Sequence, residues 1–233
     1  MHYTPEISSA SIVLVGKFNP AIFTPAWFAK VGIITDSELG SSATRVVHPE
    51  ITQFDISRFR VEVQPARFQI TTMEEPFVSI LDDIEEIFVR HLPHTPTGSF
   101  GINYNVHFLL SSPGQRIALG RALAPTEPWG AFGSRLAEPT SPELASGMVT
   151  LIMQETNPSD RNKGARRVKV QPSKKVDKLR GVFVDINDHF EMETSDENGA
   201  GDSILLLRER FDASIAESKT IVSELMTFAS RLT

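Results

Sequence analysis

Two short patterns occur twice in this chain, in the same order, and they constrain its fold more than any other feature. Val61-Glu62-Val63-Gln64-Pro65 returns as Val168-Lys169-Val170-Gln171-Pro172, and Asn105-Val106-His107-Phe108 returns as Asn187-Asp188-His189-Phe190. Each copy reads as a Val-x-Val-Gln-Pro strand followed by an Asn-x-His-Phe strand, the signature of a duplicated unit. The two strands start 44 residues apart in the first copy (61 to 105) and 19 apart in the second (168 to 187). A helix-length segment therefore lies between them in one copy only. The expected fold is α+β, with two pseudo-repeated halves of antiparallel β-strands and helices packed on one face. Ser112-Pro113-Gly114 breaks the pattern and divides the chain into residues 1–112 and 113–233, packed as one compact unit.

In the first half, Ser11 to Val15 reads as a buried strand, and Thr24-Pro25 as a helix start with Thr24 as N-cap and the helix ending near Gly32. Phe18, Phe23, Trp27 and Phe28 between them are expected as a core anchor rather than an apolar ligand box. From Thr44 to Thr72 the pattern is strand-like, and Pro65-Ala66-Arg67 turns one strand into the next. Pro76 then opens an amphipathic helix, apolar at Phe77, Ile80, Leu81, Ile84, Ile87 and Phe88, with a solvated acidic face from Glu74 to Glu86.

The first half closes with a strand from Ile102 to Leu110, and the second opens with a helix from Gln115 to about Leu123. A connection rich in proline (Pro125, Pro128, Pro139, Pro142) then reads as a loop anchored by Trp129. Strands are expected from Met148 to Gln154, Ala165 to Gln171 and Val182 to Met192, with turns at 157–164 and 195–201. Asp202 or Ser203 would cap a closing helix whose apolar stripe runs through Ile204, Leu207, Phe211, Ile215, Val222 and Leu225. Ser214 and Ser218 interrupt the stripe where a coiled coil would need apolar knobs, so this helix should cover the sheet.

The chain contains no cysteine, which excludes disulfides, thiol nucleophiles and Cys-ligated metal centres. It has no phosphate loop, GxGxxG turn, GxSxG elbow or HExxH pair, and no cofactor is expected. The best polar constellation is Asn105, His107, Asp185, Asn187 and His189, which fall on the polar side of two alternating strands. If a twofold axis relates the halves, His107 and His189 occupy equivalent places and could face one small pocket. A metal on Asp185, His189 and Glu191 is disfavoured, since residues two apart on one face of a strand are ~6.6–6.8 Å apart. A hydrogen-bonded structural ladder is the expectation.

The second constellation is a basic segment in an acidic chain. Nine of the 23 Lys and Arg residues lie from Arg161 to Arg180, against the single acid Asp177, in a chain of net charge −6. Arg166, Arg167, Lys169, Lys174, Lys175 and Lys178 are the partner-binding candidates, either for an acidic protein partner or for phosphate. The alternative is internal pairing with the acidic helix. A protein partner ranks ahead of nucleic acid, because the overall charge opposes a polyanion and no aromatic interleaves the basic residues. A homo-oligomer remains open.

The segments His94-Thr95-Pro96, Gly101-Ile102-Asn103 with His107-Phe108, Glu127-Pro128-Trp129, and Gly181-Val182-Phe183 to Phe190 resemble a group of uncharacterised hypothetical bacterial proteins over most of the chain. The order of elements also resembles sporadically distributed bacterial families of unknown function. The resemblance implies a cytoplasmic accessory protein of a bacterial multi-component system, and it brings no activity with it. No run reaches the ~20 apolar residues of a membrane span, so no membrane insertion is expected. Three readings follow: a non-catalytic interaction or assembly subunit, an enzyme with its small-molecule or metal site on the Asn-x-His strands, and a nucleic-acid accessory factor using the basic hairpin 161–180.

Overall fold

Alternation of apolar and polar residues gives the inner strands one side for a core and one for water, and hydrogen bonding joins them with two largely exposed edge strands into one nine-stranded antiparallel sheet. The computed structural model describes residues 4–137, 146–158, 163–196 and 199–232. The elements in chain order are β1 (Ile7–Gly16), α1 (Pro25–Lys30), α2 (Asp36–Ser41), β2 (Ala43–His48), β3 (Ile51–Asp55), β4 (Arg60–Gln64), β5 (Arg67–Thr72) and α3 (Ser79–Glu85). A π-helical turn (Glu86–His91) extends α3, and β6 (Thr97–Leu109), α4 (Pro113–Leu123), a 3-10 turn (Glu127–Trp129) and α5 (Gly130–Ala137) follow. The chain closes with β7 (Leu151–Thr156), β8 (Gly164–Pro172), β9 (Gly181–Asp196) and α6 (Gly201–Ala229). The strand order is β2-β3-β4-β5-β1-β6-β9-β8-β7.

This order places the repeated patterns in different relations, and pseudo-repeated halves are not confirmed. The Val168 strand, β8, pairs directly with the Asn187 strand, β9. The Val61 strand, β4, is separated from the Asn105 strand, β6, by β5 and β1. Strands draw on few residue types, so short patterns recur without common ancestry. The sheet also runs unbroken through the division at 112, because β6 pairs with β9 along Leu109↔Gly181 to Thr97↔Asp196. Ser112-Pro113-Gly114 is a helix start: the Ser112 hydroxyl accepts from the Gln115 N–H at 3.1 Å, and Pro113 opens α4.

Helices cover one side of the sheet. The aromatic anchor expected from Phe18, Phe23 and Phe28 is present, packed edge-on or tilted against Phe68, Phe88 and Phe54 with ring centroids 5.1–6.2 Å apart. The long helix α6 lies over β6 and β9 through Ile204, Leu207 and Phe211. Ser214 and Ser218 are buried there, small enough to let the helix approach closely. Neither Asp202 nor Ser203 caps this helix: its N-cap is Ala200, and Ser203 is buried, bonded to Thr97 and to the Ala200 carbonyl.

The acidic helix is matched, though not by the basic segment. Arg58 donates to Asp83 at 2.5 and 3.1 Å, Arg208 to Asp82 and Glu85, and Lys219 to Glu75. Burial pushes the Asp83 carboxyl up despite the guanidinium beside it. Residues 130–137 form a helix rather than the expected loop, and Trp129 is exposed instead of serving as an anchor. Pro139, Pro142 and Arg161, with parts of the turns expected at 157–164 and 195–201, lie outside the described residues. Among the described residues no helix is long and apolar enough to cross a membrane.

Candidate functional site

Among the described residues, no helix lies over the other side of the sheet. Ser9 and Ser11 of β1, Gln69 and Thr71 of β5, and Asn103, Asn105 and His107 of β6 all belong to its polar register. Toward one end of these strands Ser9, Gln69, Thr71, Asn105 and His107 form the floor of a groove of about 660 Å3. One wall is the β3–β4 connection with Arg58, Phe59 and Arg60, and the other is the β8–β9 connection with Lys174 and Lys175. In a flat sheet β4 and β8, five strand intervals apart, would be ~24 Å apart. Twist and coiling make the face concave enough for both to line one trough.

The sequence-predicted site residues divide between this groove and the rest of the face. Asn105 and His107 line it. Asp185 stands opposite Asn105 in the strand register and pairs with Lys169 at 2.6 Å. Asn187 donates to Asn103 at 2.5 Å, and Asn103 donates in turn to Ser11 at 3.1 Å, a ladder across β9, β6 and β1. His189 stands opposite Gly101, six residues along β6 from His107, which is ~20 Å of strand. The two histidines therefore do not share a pocket. Among the described residues no group of three His, Asp or Glu could hold a metal ion.

His107 meets the basic segment instead. The β8–β9 connection, residues 173–180, is built to hold its shape. The Ser173 Oγ accepts from the N–H groups of Lys175 at 3.1 Å and Val176 at 3.4 Å. Asp177, the one acid of the segment, accepts from the N–H groups of Leu179 and Arg180. The Leu179 N–H first, and then the Arg180 guanidinium, hold its carboxyl below the usual range. The buried Arg116 of α4 donates to the Leu179 carbonyl at 2.7 Å. Gly181 closes the connection, because a Cβ there would stand 2.6 Å from the Asp177 carbonyl oxygen and 2.9 Å from the Ser173 Cβ.

The Ser173 hydroxyl also lies 2.7 Å from the His107 Nδ1. With the serine oxygen already accepting two backbone N–H groups, its proton is the one available for this bond, and Nδ1 is the acceptor. The imidazole is then the tautomer protonated at Nε2. It stacks on Phe183 at 4.5 Å and is only 5% exposed. Burial, and then the charge of Lys175, hold it below the ordinary histidine range, so it is neutral near pH 7. The Ser173–His107 contact resembles a nucleophile and its base, yet a nucleophile must offer an accessible hydroxyl. Ser173 is 2% exposed and its oxygen holds the loop.

The basic candidates separate by face. Arg166 points to the covered side and pairs with the fully buried Asp188 at 3.2 Å. Arg167 donates to Gln154 at 2.6 Å, and Lys169 is held by Asp185. Lys178 is exposed in the connection. Lys174 and Lys175 are exposed at the groove and form no ion pair among the described residues. Arg58 and Arg60, at the opposite wall, are bound to Asp83 and Asp55.

Sequence reasoning missed Ser173, Arg116 and Phe183. Phe183 carried a usable signal, an aromatic in the polar register of β9 beside Asp185, Asn187 and His189. Compared with known proteins, the chain matches no family model and no curated relative. Fold and site together define an α+β protein whose antiparallel sheet is covered on one side and presents on the other a polar groove with one lysine-bearing wall.

Proposed function

We propose that this protein is a non-catalytic interaction subunit that takes an acidic segment of a protein partner into the groove on its open sheet face. The observation that carries this reading is the placement of Lys174 and Lys175, exposed and without ion pairs among the described residues, on one wall of the groove. Ser9, Gln69, Thr71 and Asn105 on the floor offer both donors and acceptors, which suits the backbone of an extended segment. The net charge of −6 disfavours a polyanion such as nucleic acid over a short acidic segment that meets only the loop. The resemblance to bacterial accessory proteins supports a place in a multi-component assembly.

The test is capture from native lysate with the wild type and with Lys174→Glu/Lys175→Glu, followed by hydrogen-exchange mapping of the captured complex. The reading expects a partner that dissociates as salt rises, protection over β5, β1, β6 and β9, and loss of capture by the charge-reversed variant. Melting of that variant should stay within about 0.5 kcal/mol per residue of the wild type. Protection confined to the helical side, or unchanged capture, would reject the reading.

A further inference from the structure

The groove contains a donor that the protein itself leaves unused. Because His107 Nδ1 accepts from Ser173, the ring proton sits on Nε2, and no described residue accepts a hydrogen bond from it. The ring is 5% exposed and lines the groove, so the accessible remainder of the imidazole opens there. A polar group that folding has otherwise desolvated, aimed into an open trough, is placed for a ligand atom.

Its surroundings fix the charge of that atom. Lys175 is tethered beside it, since its own backbone N–H bonds the same Ser173 hydroxyl that bonds the imidazole. Lys174 precedes it at the groove wall. Of the carboxylates that line the groove, Asp55 is bound to Arg45 and Arg60 and Glu62 to Arg67, while Glu74 is exposed without an ion pair among the described residues; Asp185, beside the groove, is bonded to Lys169. A neutral N–H donor beside two unpaired ammonium groups repels cations and matches an oxyanion.

We propose that His107 Nε2–H and the ammonium groups of Lys174 and Lys175 form an oxyanion subsite in the groove, which takes a carboxylate of the acidic segment. This rests on the reading of the groove as a partner site and names the group it recognises. The tautomer is enforced from behind: Ser173 both shapes the loop that carries the lysines and turns the imidazole proton toward the groove. Recognition is thus a single unit of loop and ring.

The experiment titrates the free protein with sodium glutarate and, separately, with inorganic phosphate, against sodium chloride at matched ionic strength. Binding is read from the His107 ring nitrogens and the Asn105 and Lys175 amides by NMR. Glutarate is expected to move the His107 Nε2–H and saturate, and Lys175→Gln should weaken binding about tenfold, the loss of one charge-assisted bond. His107→Asn keeps an acceptor for Ser173 but loses the groove donor, and should weaken binding about tenfold. His107→Gln places a donor near the Nε2 position and should retain most of the affinity. Melting curves confirm that each variant is folded. Shifts no larger than with chloride, or full affinity in His107→Asn, would overturn the subsite, and tighter binding of phosphate than of glutarate would overturn its assignment to a carboxylate. Because the titration uses no partner, its failure rejects the subsite alone, whereas protection on the helical side rejects only the partner reading.

Discussion

The covered and open faces of this sheet are built from alternate residues of the same strands, yet they handle polar groups in opposite ways. On the covered face, Arg166 is paired with Asp188, and Arg58 reaches from the groove wall to Asp83 of α3, so the charges brought near the core are balanced within the protein. On the open face, the ladder from Ser11 through Asn103 to Asn187 is likewise internal, but at the groove end His107 Nε2, Lys174 and Lys175 are left for something else. Pairing within the protein is what a structural polar group requires. Unused donors gathered at one concave place are what a binding surface requires. The contrast separates the two roles within a single register.

The largest break in the comparison should come from the covered face. Phe68→Ala removes a fully buried ring that touches Phe18, Phe23 and Phe88, and should cost about 3–5 kcal/mol in chemical denaturation. Thr71→Ala on the open face of the same strand should cost under about 0.5 kcal/mol. Similar losses at both positions would mean that the open face is covered by something else in the folded protein. Next in size is Asp188→Asn, which leaves the Arg166 charge poorly balanced in a half-buried place and should cost about 2–3 kcal/mol.

A smaller effect sharpens the open-face side. The His107 imidazole is held below its ordinary value of 6.5 by burial and by Lys175. Its folded form therefore binds a proton less readily than the unfolded chain does. The resulting stability is full above that ordinary value and is lost as pH falls through it toward the lower folded value. On acidification from about pH 7 to about pH 5, His107→Asn should lose less stability than the wild type. Equal losses would show that the imidazole does not resist protonation.

Much of the local architecture was legible in the sequence because it is decided locally. Thr24-Pro25 caps α1 through the Trp27 N–H, and Pro65-Ala66 joins β4 to β5, both as residue type dictates. The strands carrying Asn105 and Asn187 also show their faces in their alternation. Their neighbours were not legible. The echo suggested that His107 would meet His189, whereas strand pairing brings it to Ser173, 66 residues away in sequence. Register across β6, β9 and β8 made that choice, and it depends on which strands pair, not on either pattern alone. For the same reason the basic segment looked uniform in sequence, while the two-residue period of β8 turns Arg166 inward and Arg167 and Lys169 outward.

The claim on which the account turns is that His107 presents a proton to the groove, held there by the hydroxyl that shapes the basic loop. The ring nitrogen shifts of His107 in the free protein near pH 7 measure this directly. The account predicts a neutral ring with a protonated Nε2 and an unprotonated, hydrogen-bonded Nδ1, and a change in the Nδ1 shift in Ser173→Ala. A ring protonated at Nδ1, or charged at that pH, would contradict it.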